Sequence, residues 1–201
     1  MTRTGKAAVT AAIIASAVSV GDAVYGGVAG GEVLDDQTAP RWAVVAVSLT
    51  LAATFGLLAA VLIQDADRID GSSRFVRWVR RLLLGDLALL AAIFAVGTVL
   101  AKMPAALAVP AGVAFILMFL LGAVLGVALI RRRGLRLPAV LMTAAIPLIP
   151  LTAAIGAIAP DWAHPGYAES ALYLGLALLA RHRSTDTAPT AEERAPVATQ
   201  P

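Results

Sequence analysis

The stretch MPAALAVPAGVAFILMFLLGAVLGVALI, residues 103–130, runs directly into Arg131-Arg132-Arg133, and its reading decides the fold. It carries no charge. A bilayer's hydrocarbon core is about 30 Å thick, so a helix rising about 1.5 Å per residue crosses it with about 20 apolar residues. Residues 103–130 exceed that length, leave room for tilt and end on arginines, where a crossing helix meets headgroups. A membrane β-strand would instead alternate apolar and polar residues in segments of about ten.

Working outward, the same pattern recurs on both sides. Apolar runs occupy 7–30, interrupted only by Asp22, then 42–63 without charge, and 82–101 with Asp86 near its start. Beyond the arginines, 137–159 is uncharged but contains Pro138, Pro147 and Pro150, and 162–180 is apolar around His164, Pro165 and Glu169. The expectation is an all-α integral membrane protein, a six-transmembrane-helix bundle built as three antiparallel hairpins within residues 1–183. Residues 184–201, rich in Thr, Ala, Pro and Glu, lack apolar periodicity and read as a disordered cytoplasmic tail.

Composition agrees. Of 201 residues 59% are hydrophobic and 14% charged, against roughly 45–50% and about 25% in soluble domains. A soluble fold this small could not hide so much apolar surface. With no cysteine, a disulfide scaffold and a zinc ribbon are excluded. Ala-, Gly- and Arg-rich usage with little Lys points to a bacterial source, and hence to the plasma (inner) membrane.

Charge sets the orientation. Of the 16 Lys and Arg, six spans would place all but Arg41 and Lys102 on the face that holds both termini. By the positive-inside rule both termini are cytoplasmic. The high calculated pI then reflects topology and an anionic inner leaflet, with no need for nucleic acid. Trp42 and Trp162 fall at the outer interface and Trp78 at the inner one, where amphipathic rings sit well. Ala15-Ser16-Ala17 is similar to a signal-peptidase site, but the apolar run continues well past it, so the first helix is expected to be retained.

Residues 64–73 read as a polar, flexible loop. In 74–81 a helical wheel sets Arg74, Arg77 and Arg81 opposite Phe75, Val76 and Val79, the pattern of a short basic helix resting its arginines on lipid headgroups.

Ionisable residues inside spans are the functional candidates, because they are costly there. Asp22 and Glu169 both fall in the outer half, with Ser19 and Tyr25 three residues either side of Asp22, and Tyr173 four residues beyond Glu169. If the first and last helices pack together, Asp22, Tyr25, Glu169 and Tyr173, with His164 nearby, would line an outward-facing pocket for a proton or cation. The plainer alternative ties each carboxylate to a neighbouring hydroxyl or to interfacial water. Asp86 reads as an interfacial residue near Arg80 and Arg81. Pro147 and Pro150 each remove an amide donor and free a carbonyl one turn earlier. They are therefore candidates for a helix break of the kind found at transporter sites, or for simple kinked packing. Gly122 and Gly126, and the glycines at 26, 27, 30 and 31, form small-residue faces that permit close approach within a chain, in a homo-oligomer or to a membrane partner.

Motifs for catalysis are missing: no HExxH, no phosphate-binding glycine loop, no nucleophile elbow, and no His pair at metal-ligand spacing. Neither a metal nor a cofactor is expected, nor an enzyme. Three function classes stay open. They are a small secondary transporter or channel-like protein, a non-catalytic assembly factor, regulatory subunit or permease-like partner, and a membrane-embedded enzyme acting on a lipid or isoprenoid.

Overall fold

The computed structural model describes residues 1–29 and 40–180, and the expected tail at 184–201 and the glycines at 30 and 31 lie outside them. Among the described residues every regular element is helical: α1 (Arg3–Ala29), α2 (Arg41–Gln64), α3 (Ala66–Asp70), α4 (Arg74–Leu100), α5 (Ala105–Leu129), α6 (Arg136–Ile158) and α7 (Gly166–Ala177), with a 3₁₀ turn at Pro160–Trp162 before α7. Five of these, α1, α2, α4, α5 and α6, are long and apolar enough to cross a membrane. The chain is therefore an all-helical protein of membrane type.

Three boundaries differ from the sequence reading. The basic segment 74–81 is not a separate helix but the opening of α4, which runs unbroken for 27 residues. Ser73 starts it, its hydroxyl accepting from the Val76 amide at 3.3 Å, and no glycine or proline interrupts the next two turns. The stretch 64–73 is not an open loop either, because it contains α3 and is tied down by arginines. The last helix, α7, has only 12 residues, about 18 Å of rise. Pro165 and the turn before it cut short the helix expected from 162 onward.

Consecutive long helices pack as antiparallel neighbours, and α7 returns against α1 to close the ring; it also touches α2 and α5. This makes α7 the innermost element, with Leu172, Tyr173 and Leu176 fully buried. Small residues admit it. On α1, Ala8, Ala12, Ala15 and Ser19 form a buried stripe. A Cβ on Gly166 would stand 2.8 Å from both the Ser19 Cβ and its carbonyl oxygen, so only glycine fits there. Gly122 and Gly126 are used within the chain: Gly122 receives the Leu172 side chain and Gly126 lies against Ala139 and Thr143 of α6.

At the centre, Phe55 of α2 meets Phe94 of α4, Phe115 of α5 and Tyr173 of α7 at ring-centroid distances of 5.8, 5.8 and 5.7 Å. The last two contacts are edge-on, the geometry in which ring edge meets ring face favourably. The middle of the bundle is thus closed by rings and aliphatic side chains.

Pro147 and Pro150 do not break α6, which stays helical from Arg136 to Ile158. Both face outward beside the exposed Ile146 and Ile149, so the backbone adapts on the side with no neighbour to disturb. They line no interior site.

Candidate functional site

Two clusters of polar groups stand toward opposite ends of the bundle, in different chemistry. At one end Met1, Gln64 and Ala180 meet. Gly5 lies against Ala180, and the Gln64 amide donates to Thr4 Oγ1 at 3.0 Å. Arg80 reaches back ten residues to Asp70 in a two-pronged pair, Nε to Oδ1 at 2.7 Å and Nη2 to Oδ2 at 2.9 Å. Its remaining Nη1 donates to the Leu62 carbonyl at 3.1 Å, one of the acceptors left open at the end of α2. Arg77 adds a looser contact to Asp70 at 3.5 Å. Arg132, in the turn before α6, donates to the carbonyls of Ile69 and Asp70. Arg68 donates to the Leu179 carbonyl at 3.1 Å. The Arg80 guanidinium beside Asp70 holds that carboxyl below the usual carboxylate range. This is a structural clamp: cations on fixed acceptors at the ends of α2, α3 and α7.

At the opposite end α1 and α7 bring two carboxylates to neighbouring positions. Ser19 Oγ donates to Glu169 Oε2 at 3.2 Å, and Tyr173 OH donates to the same oxygen at 3.4 Å. One turn along α1, Asp22 Oδ2 lies 3.4 Å from His164 Nε2. The other imidazole nitrogen, Nδ1, accepts from the Gly166 amide at 3.0 Å, which satisfies one of the open donors at the start of α7. That bond assigns the tautomer. With Nδ1 as acceptor the proton sits on Nε2 and points at Asp22. Asp22 is 8% exposed, and the site's partners include hydroxyls and an imidazole.

The sequence candidates therefore divide. Asp22, Glu169 and Tyr173 come together through α1 and α7, whereas Tyr25 is 52% exposed and stays outside. Six residues along a helix turn the side chain by about 240°, so Ser19 and Tyr25 straddle Asp22 rather than sharing its face. Ser19 and His164 are the contributors that matter instead. The two carboxylates do not form a bare dyad, since Ser19 and Tyr173 stand on Glu169 and His164 stands beside Asp22. No group of three or more His, Asp or Glu among the described residues is arranged to hold a metal ion.

Asp86, read from the sequence as an interfacial residue near Arg80 and Arg81, makes no ion pair with Arg80. Arg80 turns away to Asp70, and Asp86 is 6% exposed on the inner face of α4, its Oδ2 without a hydrogen-bond partner among the described residues. Arg74, Arg77 and Arg81 are exposed. Beside the carboxylate site an apolar groove of about 450 Å³ opens between α5 and α6, with Ile116, Phe119, Ile149 and Thr152 on its walls and Pro165 and Ala168 of the α7 region at its base.

Asp70, Arg68, Arg80 and Arg132 are the polar residues that sequence reasoning missed as a unit. One signal was available. On the α4 wheel Arg80 falls with Val76, Val79 and Leu83, on the apolar face, and a buried arginine demands a carboxylate. No family model, curated protein or solved structure matches the chain.

Proposed function

We propose that the chain is a six-crossing protein of a bacterial inner membrane, with both termini cytoplasmic, in which the Asp22–His164 and Glu169–Ser19–Tyr173 groups take up and release protons. Its activity would be that of a small secondary transporter or channel-like protein, not an enzyme. The observation that carries this is the placing of a half-buried carboxylate, Glu169, on two hydroxyls, next to the buried Asp22 facing an imidazole. A hydroxyl donates to a carboxylate or accepts from a carboxylic acid, and an imidazole can trade a proton with one. Among the described residues Glu169 carries hydroxyl partners and no arginine or lysine.

The short α7 is compatible with a sixth crossing. Irregular backbone at membrane depth is tolerated where protein surrounds it, and α7 is enclosed by α1, α2, α5 and α6. The apolar groove against Pro165 and Ala168 adjoins the residues that bear His164 and Glu169, so a change in either pair would be felt at its base.

A direct test is reconstitution in liposomes carrying a pH-sensitive dye. An imposed pH gradient should collapse faster than in empty liposomes, and the excess should vanish in Glu169→Gln. Collapse at the rate of empty liposomes, with identical proton titrations of wild type and Glu169→Gln, would overturn the reading. A reporter fused after Pro201 that is active only outside the cell would overturn the topology.

One observation favours the second class, a non-catalytic assembly factor or permease-like subunit. The middle of the bundle is filled by the packed rings of Phe55, Phe94, Phe115 and Tyr173. Co-purification of a defined membrane partner from the native host, with no proton flux by the chain alone, is the outcome that this class requires.

A further inference from the structure

The turn joining α5 to α6 borders an open recess of about 510 Å³, lined by Arg131, Arg132, Arg133 and Arg136 with Ile130 and Val140. That volume lies within the range of about 300–1,000 Å³ common to ligand sites. Gly134, at φ +82, gives the turn a left-handed conformation that returns the chain so that Arg136 stands over the same space as Arg131 and Arg133. Of these arginines only Arg132 is engaged, on the carbonyls of Ile69 and Asp70, and it anchors the recess wall. Arg131, Arg133 and Arg136 are exposed, and among the described residues none has an ion pair with a carboxylate. Of the buried acids at this end, Asp70 is already taken by Arg80, and Asp65 has a partner of its own.

We infer that this recess binds the phosphate headgroup of an anionic phospholipid. Three uncompensated guanidiniums around one space match a phosphodiester, which they can grip through paired N–H donors. Basic recesses between membrane helices suit such headgroups. A lipid fits better than free phosphate because Ile130 and Val140 line the same recess, and the exposed Leu137 continues the apolar surface along α6, where an acyl chain would lie. The site is separate from Arg74, Arg77 and Arg81 on α4. It rests on the chain being a membrane protein and is independent of the carboxylate site at the other end.

The test is native mass spectrometry of the full chain in detergent, titrated with phosphatidylglycerol or cardiolipin and, in parallel, with phosphatidylcholine. One anionic lipid should bind saturably and phosphatidylcholine should not. Each arginine near a headgroup contributes roughly fivefold in affinity, so R131Q/R133Q/R136Q should weaken binding on the order of a hundredfold. All three side chains are exposed, so the variant should keep the wild-type melting temperature, and R74Q/R77Q/R81Q should keep the bound lipid. Equal loss in both triple variants would mean a diffuse surface charge and overturn the site. Displacement of the lipid by equimolar inorganic phosphate would assign the recess to a free anion instead, and unchanged binding in R131Q/R133Q/R136Q would dismiss it.

Discussion

The two ends of this bundle bury acids in opposite ways. At the arginine end Asp70 is locked by Arg80 through two short bonds, and the same arginine closes a helix end. At the other end Glu169 accepts from two hydroxyls and Asp22 faces an imidazole. A guanidinium never gives up its charge in a protein, so it fixes its partner as an anion. Hydroxyls and imidazole impose no such condition. On the proposed reading, partner chemistry, more than burial, separates a structural acid from one that exchanges its proton.

The largest effect should come from breaking the clamp. Arg80→Ala leaves Asp70 with only the looser Arg77 contact and the Leu62 carbonyl unpaired in a buried site, a loss of about 3–5 kcal/mol, read as denaturant unfolding in micelles. Asp70→Leu combined with Arg80→Met should recover much of it, since an apolar pair of similar volume is often neutral. If Arg80→Ala cost as little as an exposed arginine does, the clamp would be no more than a surface ion pair.

Acid should separate the two ends. Because the folded-state pKa of Asp70 is lowered, its contribution is present above its unfolded value of about 3.9 and is lost as pH falls through the lower folded value. The stability gap between wild type and Asp70→Asn should therefore be constant near neutrality and close only in strong acid. A gap that closed above pH 5 would contradict the assignment.

At the carboxylate end, Gly166→Ala forces a methyl against Ser19 and should cost about 1–3 kcal/mol by overpacking, while moving α7 away from α1. Tyr173→Phe removes one hydroxyl donor and should cost about 1 kcal/mol. Smallest is Glu169→Gln, expected to change stability by less than about 1 kcal/mol because the amide oxygen still accepts from Ser19 and Tyr173. It should nevertheless abolish the proton response. A Glu169→Gln effect as large as that of Arg80→Ala would erase the contrast between the ends.

Most of the helices were legible because uninterrupted apolar runs such as 42–63 and 103–130 have one reading. The start of α4 was not, because counting apolar residues begins at Leu82 while the helix begins at the Ser73 cap. Asp22, Glu169 and Tyr173 could be singled out as polar groups in apolar runs. Tyr25 failed because three residues either way on a helix reach different sides. His164 was visible only as a neighbour, since its role depends on Pro165 and Gly166 turning the chain so that the ring meets both an amide and Asp22. The Asp70–Arg80 clamp needed the turn at Gly71 to fold α3 back onto α4, and no periodicity announces that.

The most direct test of the central contrast is infrared difference spectroscopy of the chain in liposomes, following the carboxylic C=O band from acid to alkaline buffer in wild type, Glu169→Gln and Asp70→Asn. The proposed proton exchange requires a band that comes and goes with pH, is lost or shifted in Glu169→Gln, and is untouched by Asp70→Asn. A wild-type band that does not change with pH, or one that disappears only in Asp70→Asn, would contradict it.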